Sequence, residues 1–300
     1  MTTPLLRFED GKIAIGGESL FASSANLSLG PSLQIERVYG DYDASLAGAK
    51  TQFVKFSPTT GLKGKLDVSF FISAEQFAHG GNPNTIHRMF EIAEGMGEAP
   101  IHQNRVGRYA FDNMYLTSFS FDMKPFQIIQ ASASYDIYGS VNKVIDTRFN
   151  KSQIDFAHSL KSFGGLSATG VTSGELEISS LNYNIIVGRK VYNHIRGNEN
   201  TIVNTSPNGV VPVRVSVENI EKEMTIGCSE MLENLNAYGD KQDSTTPSGL
   251  PDSKIEAFLL SMQGDRIARF SASGKIQSES MSIAEGKHAD GKITIKEIVK

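Results

Sequence analysis

The chain has 300 residues, of which 39% are hydrophobic, 9% aromatic and 21% charged, with 28 glycines and 10 prolines. This composition excludes a disordered, collagen-like or proline-rich chain and suits roughly two domains of ordinary size. With 29 basic against 33 acidic residues the formal net charge is −4, which argues against a non-specific nucleic-acid binder, since such a protein carries a basic excess to neutralise phosphates.

No apolar run approaches the ~18 residues of a membrane span. The longest, Ala257-Phe258-Leu259-Leu260, reads as a strand core. Residues Met1 to Arg7 lack the charged and apolar regions of a secretion signal. The single cysteine, Cys228, excludes an internal disulfide or a cysteine-rich metal site. Folding in a cytosol without covalent staples is expected.

In chain order, Ser24 to Leu33 reads as a strand, and Leu66-Asp67-Val68-Ser69-Phe70-Phe71-Ile72 alternates as a half-buried one does. Asn84 then caps a predicted helix with Ile86, Met89, Phe90 and Ala93 on its apolar face, ended by Gly95 or Gly97. The runs Leu116 to Met123 and Ile128 to Tyr138 alternate again, and Lys124-Pro125-Phe126 supplies the turn of a β-hairpin. Gly174 to Val187 and Val211 to Val217 are further strands. A second helix is predicted from Ser229, with Met231, Leu232 and Leu235 buried, to Gly239. A hairpin around Gln263-Gly264-Asp265 follows.

The same order of elements occurs twice. Ser23-Ser24-Ala25-Asn26 returns as Ser179-Ser180-Leu181-Asn182, and Arg37-Val38-Tyr39 as Lys190-Val191-Tyr192. Ser57-Pro58 returns as Ser206-Pro207, and Leu66, Val68, Ser69 and Phe70 match Val213, Val215, Ser216 and Val217. Leu116 to Tyr135 aligns without a gap on Ile255 to Gly274. Colinear order through falling offsets points to a tandem duplication, with one domain at 13–145, a polar linker at 146–169 and a second domain at 170–300. The expected class is α+β, mostly β: two similar antiparallel β-sandwich or barrel-forming domains, each with one helix and a long inter-strand arm. The arms are the turn-rich segments Gly40 to Gly61 and Gly197 to Gly209. Segments this long in small β domains usually have a task, and reaching onto a neighbouring subunit is one. Tyr39, Asp41, Tyr42, Asp43, Phe53 and Phe56 in the first arm, and Asn198, Asn200 and Asn204 in the second, are the candidate inter-subunit residues.

Chemistry is sparse. His79, His87 and His102 lie near Glu91 and Glu94, but Gly80-Gly81-Asn82-Pro83 breaks any helix that would give metal-ligand spacing. Exposed histidines are the simpler reading. Cys228 with His194 as base has no bracketing motif, so packing outweighs nucleophilic catalysis. Gly61-Leu62-Lys63-Gly64-Lys65 leads into a strand and lacks the helix N-terminus of a phosphate cradle. Asp41 and Asp43 beside Tyr39 and Tyr42 suit calcium or sugar less well than a solvated loop. No catalytic residue, metal or cofactor is expected.

One resemblance adds to this. Leu20 to Leu29, Val38-Tyr39-Gly40, Gly61 to Phe70 and Tyr115 to Phe121 together resemble tail tube proteins of long-tailed bacteriophages, over most of 13–140 and more faintly 174–285. The resemblance implies rings of subunits stacked into a hollow tube whose lumen conducts DNA without specific binding. Its usual subunit has one such domain and forms hexameric rings, so a duplicated chain implies three chains per pseudo-hexameric ring. Implied partners are further copies of the chain, other tail proteins (initiator or baseplate, tape measure, terminator, sheath) and DNA in transit. The implied location is the virion tail, assembled in the host cytoplasm without membrane insertion. Asp67, Asp122, Asp136, Glu177 and Glu256 are the candidate lumen-facing residues, since a conduit for DNA should repel phosphates. Another virion ring protein, such as a baseplate or tube-initiator subunit, would carry nearly the same signals. A glycan-binding β module would want an aromatic platform, and the chain has no tryptophan.

Overall fold

The computed structural model describes residues 13–20, 22–30, 33–39, 52–58, 62–71, 100–124, 129–139, 141–144, 162–169, 178–192, 205–206, 209–210, 214–229, 252–260, 266–282 and 290–299. They form β1 (Ile13–Ile15), β2 (Glu18–Ser19), β3 (Ala22–Leu29), β4 (Leu33–Tyr39), β5 (Gln52–Pro58), β6 (Gly64–Phe71), β7 (Asn104–Val106), β8 (Tyr109–Phe111), β9 (Met114–Met123) and β10 (Gln130–Ile137). There follow β11 (Val141–Lys143), β12 (Ser162–Thr169), β13 (Ile178–Tyr192), β14 (Thr205–Ser206), β15 (Gly209–Val210), β16 (Arg214–Ser229), β17 (Asp252–Leu260), β18 (Arg266–Ser282) and β19 (Asp290–Val299).

The expected α+β class is corrected. The described residues are all β, 85% of them in strands, with no helix, and the sheets are open rather than closed. The segments carrying the two helix signals, 84–97 and 230–239, lie outside the described residues, while Ser229 ends strand β16. The two halves also do not form separate sheets. One ten-stranded sheet runs β12-β17-β18-β19-β16-β13-β9-β10-β6-β3, and the first half joins the second edge to edge through β9 and β13. Strand β12 lies within the segment expected to be a linker.

Alternation explains the sheet. Leu66, Val68 and Phe70 are buried on one face of β6 while Lys65 and Asp67 are exposed on the other. The same period buries Ala131, Ala133, Tyr135 and Ile137 in β10, and Ile220, Met224, Ile226 and Cys228 in β16. These side chains form one core that continues through Phe119, Phe121, Tyr183 and Ile185 across the junction of the halves. A five-stranded sheet, β11-β8-β7-β1-β2, adds Ile13, Ile15 and Phe111 to that core. Its β1–β2 hairpin turns through Gly16 and Gly17, both at positive φ, the geometry a two-residue turn requires. The buried Asn104 amide pins the hairpin, accepting from Gly16 N at 3.1 Å and donating to the Ile101 carbonyl at 2.8 Å.

The pairing registers reveal a repeat, in a form different from the sequence alignment. Strands β3-β6-β10-β9 and β13-β16-β19-β18 have the same order and the same antiparallel pairings. Leu27 faces Leu66 and Ala25 faces Val68, as Tyr183 faces Met224 and Leu181 faces Ile226. A register shift between Ala22 and Ser24 recurs between Ile178 and Ser180, so the matched Ser-Ser pairs mark a shared bulge. On the other side, Tyr135 faces Leu116 and Ser134 faces Ser118, skipping Thr117; Ile295 faces Ile276 and Thr294 faces Ser278, skipping Gln277. Thus the equivalents of Leu66 to Phe70 are Met224 to Cys228 rather than 213–217. The equivalent of β9 is the C-terminal part of β18 rather than β17. Strands that alternate small polar and apolar residues resemble one another in many alignments, and pairing decides among them.

The first arm is also corrected in part. Residues 52–58 are a strand, and β4 and β5 make a hairpin sheet of their own. In the second half β13 and β16 run on past a register shift at Gly188/Arg189 to Tyr192 and Arg214, where Val215 is buried with Tyr115 and Tyr138.

Candidate functional site

With one face of the large sheet buried, the opposite face gathers the polar residues. Residues directly opposite one another form transverse rows across it. One row runs Ser24, Ser69, Ser132, Ser120, Asn184, Glu223, Lys296, Lys275 and Asp252. The next runs Asn26, Asp67, Ser134, Ser118, Ile186, Glu221 and Ile298. A third runs Gln130, Asp122, Asn182, Thr225, Thr294 and Ser278.

Short polar side chains at cross-strand distance bond to each other. Ser69 and Ser132 hydroxyls lie 3.4 Å apart, Thr225 and Thr294 hydroxyls 2.9 Å apart, and Asn182 Nδ2 donates to Asp122 Oδ1 at 2.6 Å. The first repeat therefore presents mostly hydroxyls and amides. The second presents charges of both signs, with Lys296 Nζ held by Glu221 Oε2 at 2.7 Å and Lys254 held by Glu256. The Glu221 carboxylate, with Glu223 nearby, raises the Lys296 ammonium above its usual range.

Four of the five acidic residues singled out from the sequence lie on this face. Asp67 and Asp122 are exposed, Asp136 and Glu256 half-buried; Glu177 lies outside the described residues. The sequence did not single out the charge ladder of Glu221, Glu223, Lys292 and Lys296. Its signal was the alternation Glu221-Lys222-Glu223-Met224-Thr225-Ile226, which reads as one strand face once the strand is known. Of the arm residues, Tyr39 faces Gln52, Phe53 faces Val38 and Phe56 faces Ile35 within the β4–β5 hairpin. Asp41, Tyr42, Asp43, Asn198, Asn200 and Asn204 lie outside the described residues.

Where the two repeats meet, the face ends in a compact polar and aromatic cluster. The Arg189 guanidinium lies 5.1 Å from the Tyr115 ring centre, with Nε donating to the Leu116 carbonyl at 2.8 Å. Tyr115 and Tyr138 meet edge to face at 5.8 Å. Burial pushes the Asp136 carboxyl above its usual range, against the pull of Lys65, the Tyr138 hydroxyl and Arg189 and with the push of Asp67. Burial and the Asp136 charge push the Tyr138 phenol up to about 12.

The sign for stability follows from the Asp136 shift. A carboxyl whose pKa is higher folded than unfolded binds its proton more tightly in the folded state. Its stabilisation is full below the unfolded value of ~3.9 and is lost as pH rises through the raised folded value. We expect Asp136→Asn to gain stability relative to the parent chain as pH rises from 4 to 7. Thermal melts across that range measure it; a difference independent of pH would contradict the burial argument.

No group of three or more His, Cys, Asp or Glu able to hold a metal occurs among the described residues. His102 is exposed, and the other five histidines lie outside the described residues. Cys228 is 2% exposed, and burial raises its thiol pKa, which keeps it protonated and a poor nucleophile. Gly64, in the glycine-lysine stretch, opens β6. A scan against known protein families finds no match, and neither does a search of curated proteins.

Proposed function

We propose that this chain is a structural subunit of a bacteriophage tail tube, three copies closing a ring of six repeats, and rings stacking around a DNA-conducting lumen. The observation that carries this reading is the two-faced sheet. Two repeats lie edge to edge in one antiparallel sheet whose apolar face is packed and whose other face is a lawn of hydroxyls, amides and paired charges. A sheet with open ends is a liability for a monomer unless neighbours take up its edges. A polar face carrying charges of both signs suits a conduit, because lysines such as Lys296 and Lys254, already engaged by glutamates, offer phosphates little to hold. The phage resemblance of the opening strand and of residues 61–70 and 115–121 points the same way. Other tail proteins and DNA in transit are the partners this role requires.

Negative-stain electron microscopy of the purified chain across concentration tests the reading. Hollow tubes or stacked rings with three chains per ring are expected; a chain that stays monomeric, or rings of another protomer number, counts against it. Placing lysine at Asp67 and Asp122 should leave assembly intact and slow passage of DNA in particles that carry the variant. Unchanged ejection kinetics would remove these residues from the lumen.

A further inference from the structure

We propose that β3 of one chain pairs antiparallel with residues 278–282 of β18 in a second copy, in the register that β13 and β9 use within the chain. The inference rests on the self-assembly proposed above and supplies its contact. The relation between the two repeats dictates it. β9 gives its outer edge to β13, the first strand of the next repeat, over Leu181–Met123 to Ile186–Ser118. β18 is the equivalent of β9, and β3 the equivalent of β13.

Among the described residues both strands have the required edge open. β17 pairs with β18 only from Arg266 to Lys275, on the side opposite β19, because Lys275 pairs with both Asp252 and Lys296. From residue 276 to 282, β18 has β19 alone as a neighbour among the described residues. β3 likewise has β6 alone. Carried over by the repeat, Tyr183–Phe121 becomes Leu27–Met281 and Asn184–Ser120 becomes Ser28–Ser280.

The exposures fit an unmade contact. Phe121 and Ile185 are 1% and 0% exposed in the internal junction. Their counterparts Met281 and Leu29 are 56% and 40% exposed. Exposed apolar positions on an unpaired edge invite strand addition. The contact is head to tail, since one edge differs from the other, and such a contact propagates into a ring or filament rather than stopping at a dimer. Glu279 stands where Phe119 does, so the joint between chains is expected to be weaker than the internal one.

The test is disulfide cross-linking of Ser28→Cys/Ser280→Cys, two exposed positions that the register sets opposite, at a spacing a disulfide spans. The native Cys228 is buried. Oxidation of the double variant is expected to give a covalent ladder of dimers, trimers and larger species on a non-reducing gel. An equimolar mixture of the two single variants should give mainly heterodimers, and Ser28→Cys/Glu218→Cys no ladder. Met281→Lys should weaken self-association at least tenfold by analytical ultracentrifugation. Rings or tubes that form without the ladder overturn this pairing and leave the tube reading standing. A ladder on open filaments, without closed rings, upholds the pairing and overturns the tube reading. A chain that neither associates nor cross-links at any concentration overturns the pairing.

Discussion

Phe121→Ala is expected to cost the chain about 4 kcal/mol, from the usual range for emptying an aromatic core site. Phe121 and Tyr183 stand directly opposite across the β9–β13 junction, each 1% exposed, with ring centres 5.4 Å apart and planes tilted by 52°. Phe119 lies 5.8 Å away on the same strand. Truncation removes buried aromatic area, leaves a cavity that rigid strands cannot collapse into, and forfeits the ring pair, itself worth ~0.5–1.5 kcal/mol. Since a folded chain holds only ~5–15 kcal/mol in reserve, this is a large share. Urea unfolding gives the value, and the double variant with Tyr183→Ala should lose less than the sum of the two singles. A loss under about 1 kcal/mol would mean that the halves do not meet at this pair. Ser120→Ala, on the polar face of the same strand, should change stability by less than about 0.5 kcal/mol.

The second large effect is expected at Glu297. Lys222 occupies an apolar-face position of β16, between Ile220 and Met224, and its side chain is only 6% exposed. Its ammonium lies 3.3 Å from Glu297 Oε2, which also accepts the Ser273 backbone N–H at 2.8 Å. Glu297→Ala strands a buried cation and an amide, at a cost of about 3 kcal/mol, toward the lower end for breaking a buried pair because Glu297 is 21% exposed and water can follow. Lys222→Met/Glu297→Ala removes both charges and should return to within about 1 kcal/mol of the parent chain. A Glu297→Ala variant as stable as the parent would show the pair to be solvated. The pair also opposes register slips, because sliding β19 by one residue carries Glu297 to the other face.

Much of the sheet was legible in the sequence. Strands around Leu66–Phe71, Leu116–Met123 and Ala131–Ile137 announce themselves by alternation, and the Ser-Ser-x-Asn echo marks a real structural equivalence. The end of β18, Ile276 to Ser282, was not legible. Gln277-Ser278-Glu279-Ser280 has no apolar rhythm, and its strand is imposed by pairing with β19. β19 has its own signal in Gly291, Ile293 and Ile295, weaker than the likeness of Ser271-Ala272-Ser273 to Ser132-Ala133-Ser134. That likeness set β17 against β9, because serine-rich alternation fits many registers and only long-range pairing selects one. The serines and acids of the polar face stand opposite the apolar positions of its strands in the sequence itself, whereas its threonines and lysines do not stand out, because isolated threonines and lysines are common in any sequence.

The two shared bulges have a mechanical consequence. An extra residue on one strand bends that strand and tightens its local twist, and here it falls at Ser23 and again at Ser179, at Thr117 and again at Gln277. Each repeat therefore carries these two bends in the same places. Curvature introduced once per repeat accumulates by equal increments along the sheet, and equal increments trace an arc of constant radius. Shifting one bulge, by deleting Gln277 for example, would leave each four-stranded unit its hydrogen bonds while making the increments unequal, which in the ring proposed above would work against closure.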